Sequence, residues 1–425
     1  MADGVSQLLE TAPRAVPFGA RCPRPMNVLL LEPWTRSPHD GFADGLAAHS
    51  RHYVRTVATA AQSWASRMQG GAVSLAEKAR AATWDAAPRW MPDLLVATDR
   101  VNLPAFLALT RRDVARVPVL YVLHENRLND LRRAEADPAP DGRDLTYAYV
   151  HVLSMLAADR VVFNSQFHLD AFFGALPDLL RRPPGDAHVG YLPGLLAKSS
   201  VLHPGLDLAA LDAVRLAAEA QRAREPGPPV LLWNPQHEAD EALDAFFRVV
   251  NRLGDVGTRF RLVLAGETIA EPSAASETAF AEARRRHGDR ILHAGVAGSF
   301  ADYAALLWRS DIVVSTGRHA FFDLPVLEAV HCGCHPLLPN RLAYPEMIPP
   351  ALHRPLLHAP VLYEAEDDLF ATLRRLLGGS DLPLPRDVLA RIPAPLAWPV
   401  HAERFDALFE EMGTRQSGDG RQAQG

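Results

Sequence analysis

The sequence predicts an α/β protein made of two doubly wound parallel-sheet domains that face each other across a cleft. Three observations lead there. Short, unbroken apolar runs such as Val28-Leu29-Leu30-Leu31 recur between longer stretches of helical character. That is the pattern of strands buried on both faces of a parallel sheet. The alternation stops at Glu225-Pro226-Gly227-Pro228-Pro229 and then restarts, as expected of a linker between two halves. Finally, Asp311-Ile312-Val313-Val314 leads through Ser315-Thr316-Gly317-Arg318-His319-Ala320-Phe321-Phe322-Asp323 into the apolar run Pro325-Val326-Leu327-Glu328-Ala329. Strand, loop and helix in that order present a nucleotide site at the carboxyl edge of such a sheet.

The elements follow in chain order. Residues 1–25 are expected to form a disordered leader, because Pro13, Pro17, Pro23 and Pro25 interrupt any signal-peptide core. Met26 is an alternative start. The first domain, 26–224, begins with the Val28–Leu31 strand, which ends at Glu32-Pro33, and a helix-like stretch from Phe42 to His49. Leu94–Ala97, Val119–Leu123 and Arg160–Phe163 read as further strands, the last preceded by a helix over about Leu145 to Ala158. After the 225–229 linker, the second domain spans 230–380. Its strands are Val230–Trp233, Arg261–Ala265, Ile291–His293 and Asp311–Ser315, with a helix over Asp240 to Leu253. In the C-terminal segment 381–412, Trp398 to Met412 reads as a helix that crosses back to the first domain. Residues 413–425, rich in Gly, Gln and Ser, are expected to fray.

Composition narrows the function. The 425 residues are 48% hydrophobic and 22% charged, in line with an ordinary globular chain. A net charge of −6 supplies no global basic field for nucleic acid. Arg111-Arg112 and Arg132-Arg133 are basic pairs whose default is a solvated face, with RNA phosphate contact as the alternative. Cys22, Cys332 and Cys334 are too few for a disulfide framework; the last two sit in an apolar segment and suit a buried structural role. This points to a reducing, cytoplasmic setting. No apolar run approaches the ~20 residues that cross a bilayer, so no membrane association is expected. No His, Cys and carboxylate spacing suggests a metal site. Asp137, Asp141 and Asp144 read as solvated loop acids.

A set of local motifs identifies a relative. The first half carries His124-Glu125-Asn126, Arg143-Asp144-Leu145-Thr146-Tyr147-Ala148-Tyr149, Ala157-Ala158-Asp159-Arg160 and Phe163-Asn164-Ser165. The second carries Leu264-Ala265-Gly266-Glu267, His319 with Phe321-Phe322, Cys332-Gly333-Cys334 and Tyr344-Pro345-Glu346. In this order and spacing the chain resembles the tRNA-queuosine α-mannosyltransferases, GT-B enzymes related to the retaining glycosyltransferases of the family-4 kind. The resemblance runs from about Met26 to Leu408. It implies a first lobe on the acceptor side and a second that binds a nucleotide sugar.

Several positions depart from the family. A Gly-Gly-Ser-His loop becomes Arg36-Ser37-Pro38-His39, and a Trp-Lys-Trp-Arg-Met-Arg-Gly segment becomes Trp64-Ala65-Ser66-Arg67-Met68-Gln69-Gly70. An Arg and a Lys become Gln236 and Glu241. Of a Glu-x7-Glu pair only Glu328 remains, Ala320 standing for the first. Lost cations matter, because the departing diphosphate gathers negative charge in the transition state. Arg36 or Arg318 is a candidate replacement.

The resemblance implies the following site. His124, Glu125 and His39 are candidate catalytic residues. A strand-end His can bond a donor hydroxyl or act as acid or base, or be a satisfied structural residue; Glu125 is a catalytic carboxylate or orients its loop. Gly266, Glu267, Arg318, His319, Phe321 and Glu328 are the donor-binding candidates. Glu328 is expected on the ribose hydroxyls, or else as a carboxylate favoured by its helix dipole. Arg67, Asn126 and Arg127 belong to the acceptor side. The expected activity is transfer of a sugar from a nucleotide-sugar co-substrate, GDP-mannose if the family donor is kept, to a tRNA or a modified nucleoside. No metal or other cofactor is expected. The alternative is a GT-B binding or regulatory protein that has lost donor diphosphate chemistry.

Overall fold

The structure is a computed structural model that describes residues 24–32, 41–59, 70–126, 128, 145–181, 188–234, 240–266 and 274–422. The first lobe is built on β1 (Asn27–Leu31), β2 (Tyr53–Val57), β3 (Leu94–Thr98), β4 (Val119–Leu123), β5 (Arg160–Phe163) and β6 (Ser199–Val201). They form a parallel sheet in the order β2-β1-β3-β4-β5-β6. The second lobe is built on β7 (Val230–Trp233), β8 (Arg261–Ala265), β9 (Ile291–Gly295), β10 (Ile312–Val314), β11 (His335–Pro339) and β12 (Leu362–Tyr363). Its order, β12-β11-β10-β7-β8-β9, is also parallel throughout.

Strand order matters for function. In a doubly wound sheet, ligands bind where the order reverses, outside the carboxyl ends of the strands. The reversal lies between β1 and β3 in the first lobe and between β7 and β10 in the second.

Each sheet is covered on both faces, which is why its strands are apolar without alternation. Leu29, Leu31, Leu95, Ala97, Tyr121, Leu123 and Phe163 face one core, while Val28, Leu30, Leu94, Val96, Leu120 and Val122 face another. In the second lobe Val230, Leu232, Val263 and Val313 point to one side, and Leu231, Trp233, Leu262 and Val314 to the other. Cys332 and Cys334 are buried in this packing, and burial pushes both thiols well up, so they stay protonated.

Packing changes lobe earlier than the Pro-rich segment suggests. Leu206, Leu208, Leu211 and Ala218 already belong to the second-lobe core. The expected boundary at 225–229 is therefore displaced: the chain leaves the first sheet just after β6. The helix Arg215–Arg224 instead packs beside the helix Phe300–Arg309. A Pro-rich loop marks a turn as readily as a domain boundary.

The C-terminal helix crosses back to the first lobe. It runs over Trp398–Gln422, longer than expected. Trp398, Ala402, Phe405, Phe409 and Met412 pack on the first sheet. Glu410 and Glu411 pair with Arg51 and Arg160 of that lobe. The outward and return crossings lie side by side, with Leu206 N donating to Leu396 O at 2.8 Å and Trp398 N to Leu206 O at 3.0 Å. The Trp398 ring fills a slot whose walls are glycines: a Cβ on Gly45 would lie 2.0 Å from the ring nitrogen, and one on Gly205 2.5 Å from the ring.

Candidate active site between the two carboxyl edges

The carboxyl end of the first sheet gathers polar residues from several strands. Glu32 follows β1 and is paired with Arg100, beyond β3, at 3.5 Å across the reversal point. Asp99, also beyond β3, is buried. Its Oδ1 accepts the main-chain N–H of His124, the residue after β4, at 3.3 Å. Burial, reinforced by Glu125 and opposed by Arg100, pushes the Asp99 carboxyl up to about 7. His124 packs the edge of its ring on Phe42, with centroids 4.8 Å apart. Its carbonyl accepts from Asn164 Nδ2, beyond β5, at 2.6 Å. Glu125 is exposed and Asn126 buried.

The donor-side loop after β10 is held by its own lobe. Thr316 Oγ1 accepts from Trp233 Nε1 at 3.1 Å and donates to Ala242 O at 2.7 Å. The Ser315 hydroxyl shares a 2.6 Å bond with Tyr344 OH, which also donates to Asp323 Oδ2 at 3.0 Å. Asp323 in turn caps the helix Leu324–His331, accepting from Val326 N at 3.3 Å. The Ser315 and Thr316 hydroxyls are thus spent on building the loop. Gly266, the residue after β8, has φ 119°, a conformation that strains any residue with a Cβ. Its N–H donates to Gly295 O at 3.2 Å.

Glu328 lies inside the Leu324–His331 helix and is almost fully buried. Its Oε2 accepts from Tyr303 OH at 2.7 Å, and Tyr303 OH accepts from Asn234 Nδ2 at 2.8 Å. Asn234 is the residue after β7, so this chain of bonds spans the second reversal point between β7 and β10. Burial, with a smaller contribution from Asp323 and Asp207, pushes the Glu328 carboxyl up to about 7 despite the bond from Tyr303.

The two carboxyl edges meet. Ser165 Oγ, beyond β5, donates to Phe321 O at 2.6 Å. Phe321 stacks on His168 at 4.2 Å between centroids, and Phe322 on His203 at 4.8 Å. Glu346 reaches from the second lobe to the start of the first-lobe helix Gln166–Leu180. There its Oε1 accepts from Gln166 N at 2.8 Å and its Oε2 from Phe167 N at 3.1 Å. Helix N-termini leave such N–H groups open and favour negative charge.

The sequence-predicted residues divide accordingly. His124, Glu125 and Asn126 share the first edge; Gly266, Arg318, His319, Phe321 and Glu328 lie on the second. Arg318 is exposed, and its charge helps hold the Glu366 carboxylate ionised, behind the nearer Arg248 and Arg252. Phe321 is expected on the donor but stacks on the opposite lobe. His39, Arg67, Arg127 and Glu267 fall outside the described residues, as do Arg36 and Gln236. Sequence reading passed over Asp99, Arg100, Tyr303 and Asn234. Each is a single polar residue without a motif, and only its position at a strand end would have marked it. Among the described residues no group of three or more His, Cys, Asp or Glu is arranged to hold a metal.

Comparison with known proteins agrees with this geometry. The sequence model described as tRNA-queuosine alpha-mannosyltransferase N-terminal matches residues 27–206, from the start of β1 to the crossing between lobes. A tRNA-queuosine alpha-mannosyltransferase of Drosophila melanogaster is 26% identical over 333 residues, covering 77% of this chain and 83% of the relative. Among solved structures, sucrose-phosphate synthase from Thermosynechococcus elongatus superposes with a TM-score of 0.64 at 13% identity, over 92% of this chain and 100% of that one. HepE of Anabaena, solved with UDP and glucose, gives 0.53 at 14% identity, over 93% and 100%. Both structural likenesses are of fold, and that fold is GT-B. The chain is thus similar to the tRNA-queuosine alpha-mannosyltransferases, by the family model over its first lobe and by the Drosophila relative over most of its length.

Proposed function

We propose that the protein is a glycosyltransferase that moves a sugar from a nucleotide-sugar donor, bound to the second lobe, onto an acceptor held against the first. The observation that carries this reading is the meeting of two reversal-point edges, with the Ser315–Asp323 loop and Glu328 on one side and the His124–Asn126 loop on the other. The nucleotide lies across the ends of β7 and β10, where such sheets take nucleotides. Glu328 bonds the ribose hydroxyls, its position fixed by Tyr303. His124 and Glu125 act on the reacting sugar, and closure of the lobes excludes water from it. The nucleotide sugar is a co-substrate, and the reaction runs without a metal. If the donor and acceptor of the tRNA-queuosine alpha-mannosyltransferases the protein resembles are kept, the donor is GDP-mannose and the acceptor a queuosine-bearing tRNA. Gln236 and Glu241, which replace family cations, leave diphosphate charge to be met by Arg318 or Arg36.

The test is thermal unfolding with GDP-mannose, UDP-glucose, GDP and UDP. A ligand at a hundred times its Kd stabilises the folded protein by about 2.7 kcal/mol. One nucleotide sugar is expected to raise the midpoint, less so in Glu328→Ala, and to be consumed with a queuosine-bearing tRNA. No shift with any of the four, in the wild type and in Gln236→Arg with Glu241→Lys alike, would refute donor binding and leave a binding protein of another kind.

A further inference from the structure

The two histidines that receive the Phe321-Phe322 pair are themselves attached to one residue. Asn164, buried beyond β5, has its side-chain Oδ1 2.7 Å from His168 Nδ1 and its main-chain carbonyl 2.8 Å from His203 Nδ1. Its Nδ2 donates to the carbonyl of His124 at 2.6 Å. The bonds are chemically consistent only one way. His168 is fully buried, and burial, helped by His151 and His124, holds it well below its ordinary value, so its ring is neutral. With the proton on Nδ1 it donates to Asn164 Oδ1, which forces the Asn164 amide to present Nδ2 to His124. An unbroken line of contacts then runs from Phe321 in the second lobe, through His168 and Asn164, to His124 in the first. Tyr344 and Glu346 close a parallel line, because Tyr344 bonds Asp323 in the donor loop and Glu346 caps the helix that carries His168.

We propose that Asn164 is a positioning residue that couples the donor loop to the His124–Asn126 loop: seating of Phe321 and Phe322 on His168 and His203 and placement of His124 are one event. This rests on the glycosyltransferase reading for its purpose but not for its test. The order is useful to a two-lobe transferase, because the acceptor-side loop reaches its working shape only when the donor side is docked. A chain of contacts alone is not evidence of coupling, so the experiment measures coupling directly.

The readout is amide hydrogen exchange of the segment from Leu123 to Asn126 in the full-length protein without ligand. The His124 amide, which donates to Asp99, is the most direct reporter. Phe321→Ala, made in the opposite lobe, is expected to speed exchange there by about tenfold, the scale of coupling within one bonded network. Asn164→Ala should match it, the double variant should add little, and Phe321→Tyr, which keeps the stack, should behave as wild type. Phe321→Ala leaves both cores intact, so the test survives even if Asn164→Ala does not fold. Unchanged exchange in Phe321→Ala, or strictly additive effects in the double variant, would overturn the proposal. Coupling without nucleotide-sugar binding would keep the interlock and remove the enzyme; binding without coupling would do the reverse.

Discussion

Glu328 is a buried carboxyl with a neutral neighbour, and its replacement by glutamine has a calculable consequence. In the unfolded chain the group titrates near 4.5, and in the folded protein near 7, chiefly because burial penalises the charged form. Its pKa is raised on folding, so its stabilising contribution is complete below about 4.5 and is lost as pH rises through about 7. Between pH 5 and pH 8 the wild type should lose about 2 to 3 kcal/mol through this one residue, at about 1.4 kcal/mol for each pKa unit. Glutamine keeps the shape and still accepts a bond from Tyr303, but it never ionises. Glu328→Gln should therefore be close to wild type at pH 5 and more stable at pH 8 by that amount. Urea unfolding at the two pH values, followed by tryptophan fluorescence, measures the difference, and other titrating groups cancel between the two proteins. A gap between variant and wild type that is the same at both values would refute the assignment of a raised, buried carboxyl. The Glu328→Gln variant also bears on donor binding, since a group that is partly protonated at neutral pH would release its proton as ribose hydroxyls settle on it.

Two further predictions concern the joints between lobes. Gly45→Ala would drive a methyl into the Trp398 ring, and overpacking of this kind costs about 1 to 3 kcal/mol. Gly174→Ala, inside the helix Gln166–Leu180 with nothing within 4 Å of the new methyl, should instead stabilise by about 0.5 to 1 kcal/mol. Unfolding curves that rank the two the other way would dismiss the glycine-walled slot. Glu346→Ala removes both cross-lobe bonds to the start of the Gln166–Leu180 helix and should cost about 1 to 2 kcal/mol, as a lost N-terminal cap does. Small-angle X-ray scattering should show a larger radius of gyration for that variant; an unaltered profile and an unaltered unfolding midpoint would show that Glu346 does not hold the lobes together.

What the sequence determined by itself was the set of strands buried on both faces and the resemblance to the tRNA-queuosine alpha-mannosyltransferases. Val28–Leu31, Leu94–Ala97, Val119–Leu123 and Val230–Trp233 stand out because a strand covered on both sides has no polar face to interrupt it. The return helix was legible for a similar reason: Trp398, Phe405 and Phe409 recur at helical spacing beyond the second domain. Other strands were hidden. β11 contains Pro336 and Pro339, which argue against a strand when read locally, and β6 and β12 are only three and two residues long. The site divides in the same way. His124, Phe321 and Glu328 sit in recognisable motifs, but nothing near Asp99, Asn164 or Tyr303 in the chain reveals that they hold those residues in place. Periodicity records that a face is buried and not what buries it. The strand order that makes two reversal points, the crossing near Leu206 and the line from Phe321 to His124 all join residues far apart in the chain, so only the folded structure could decide them.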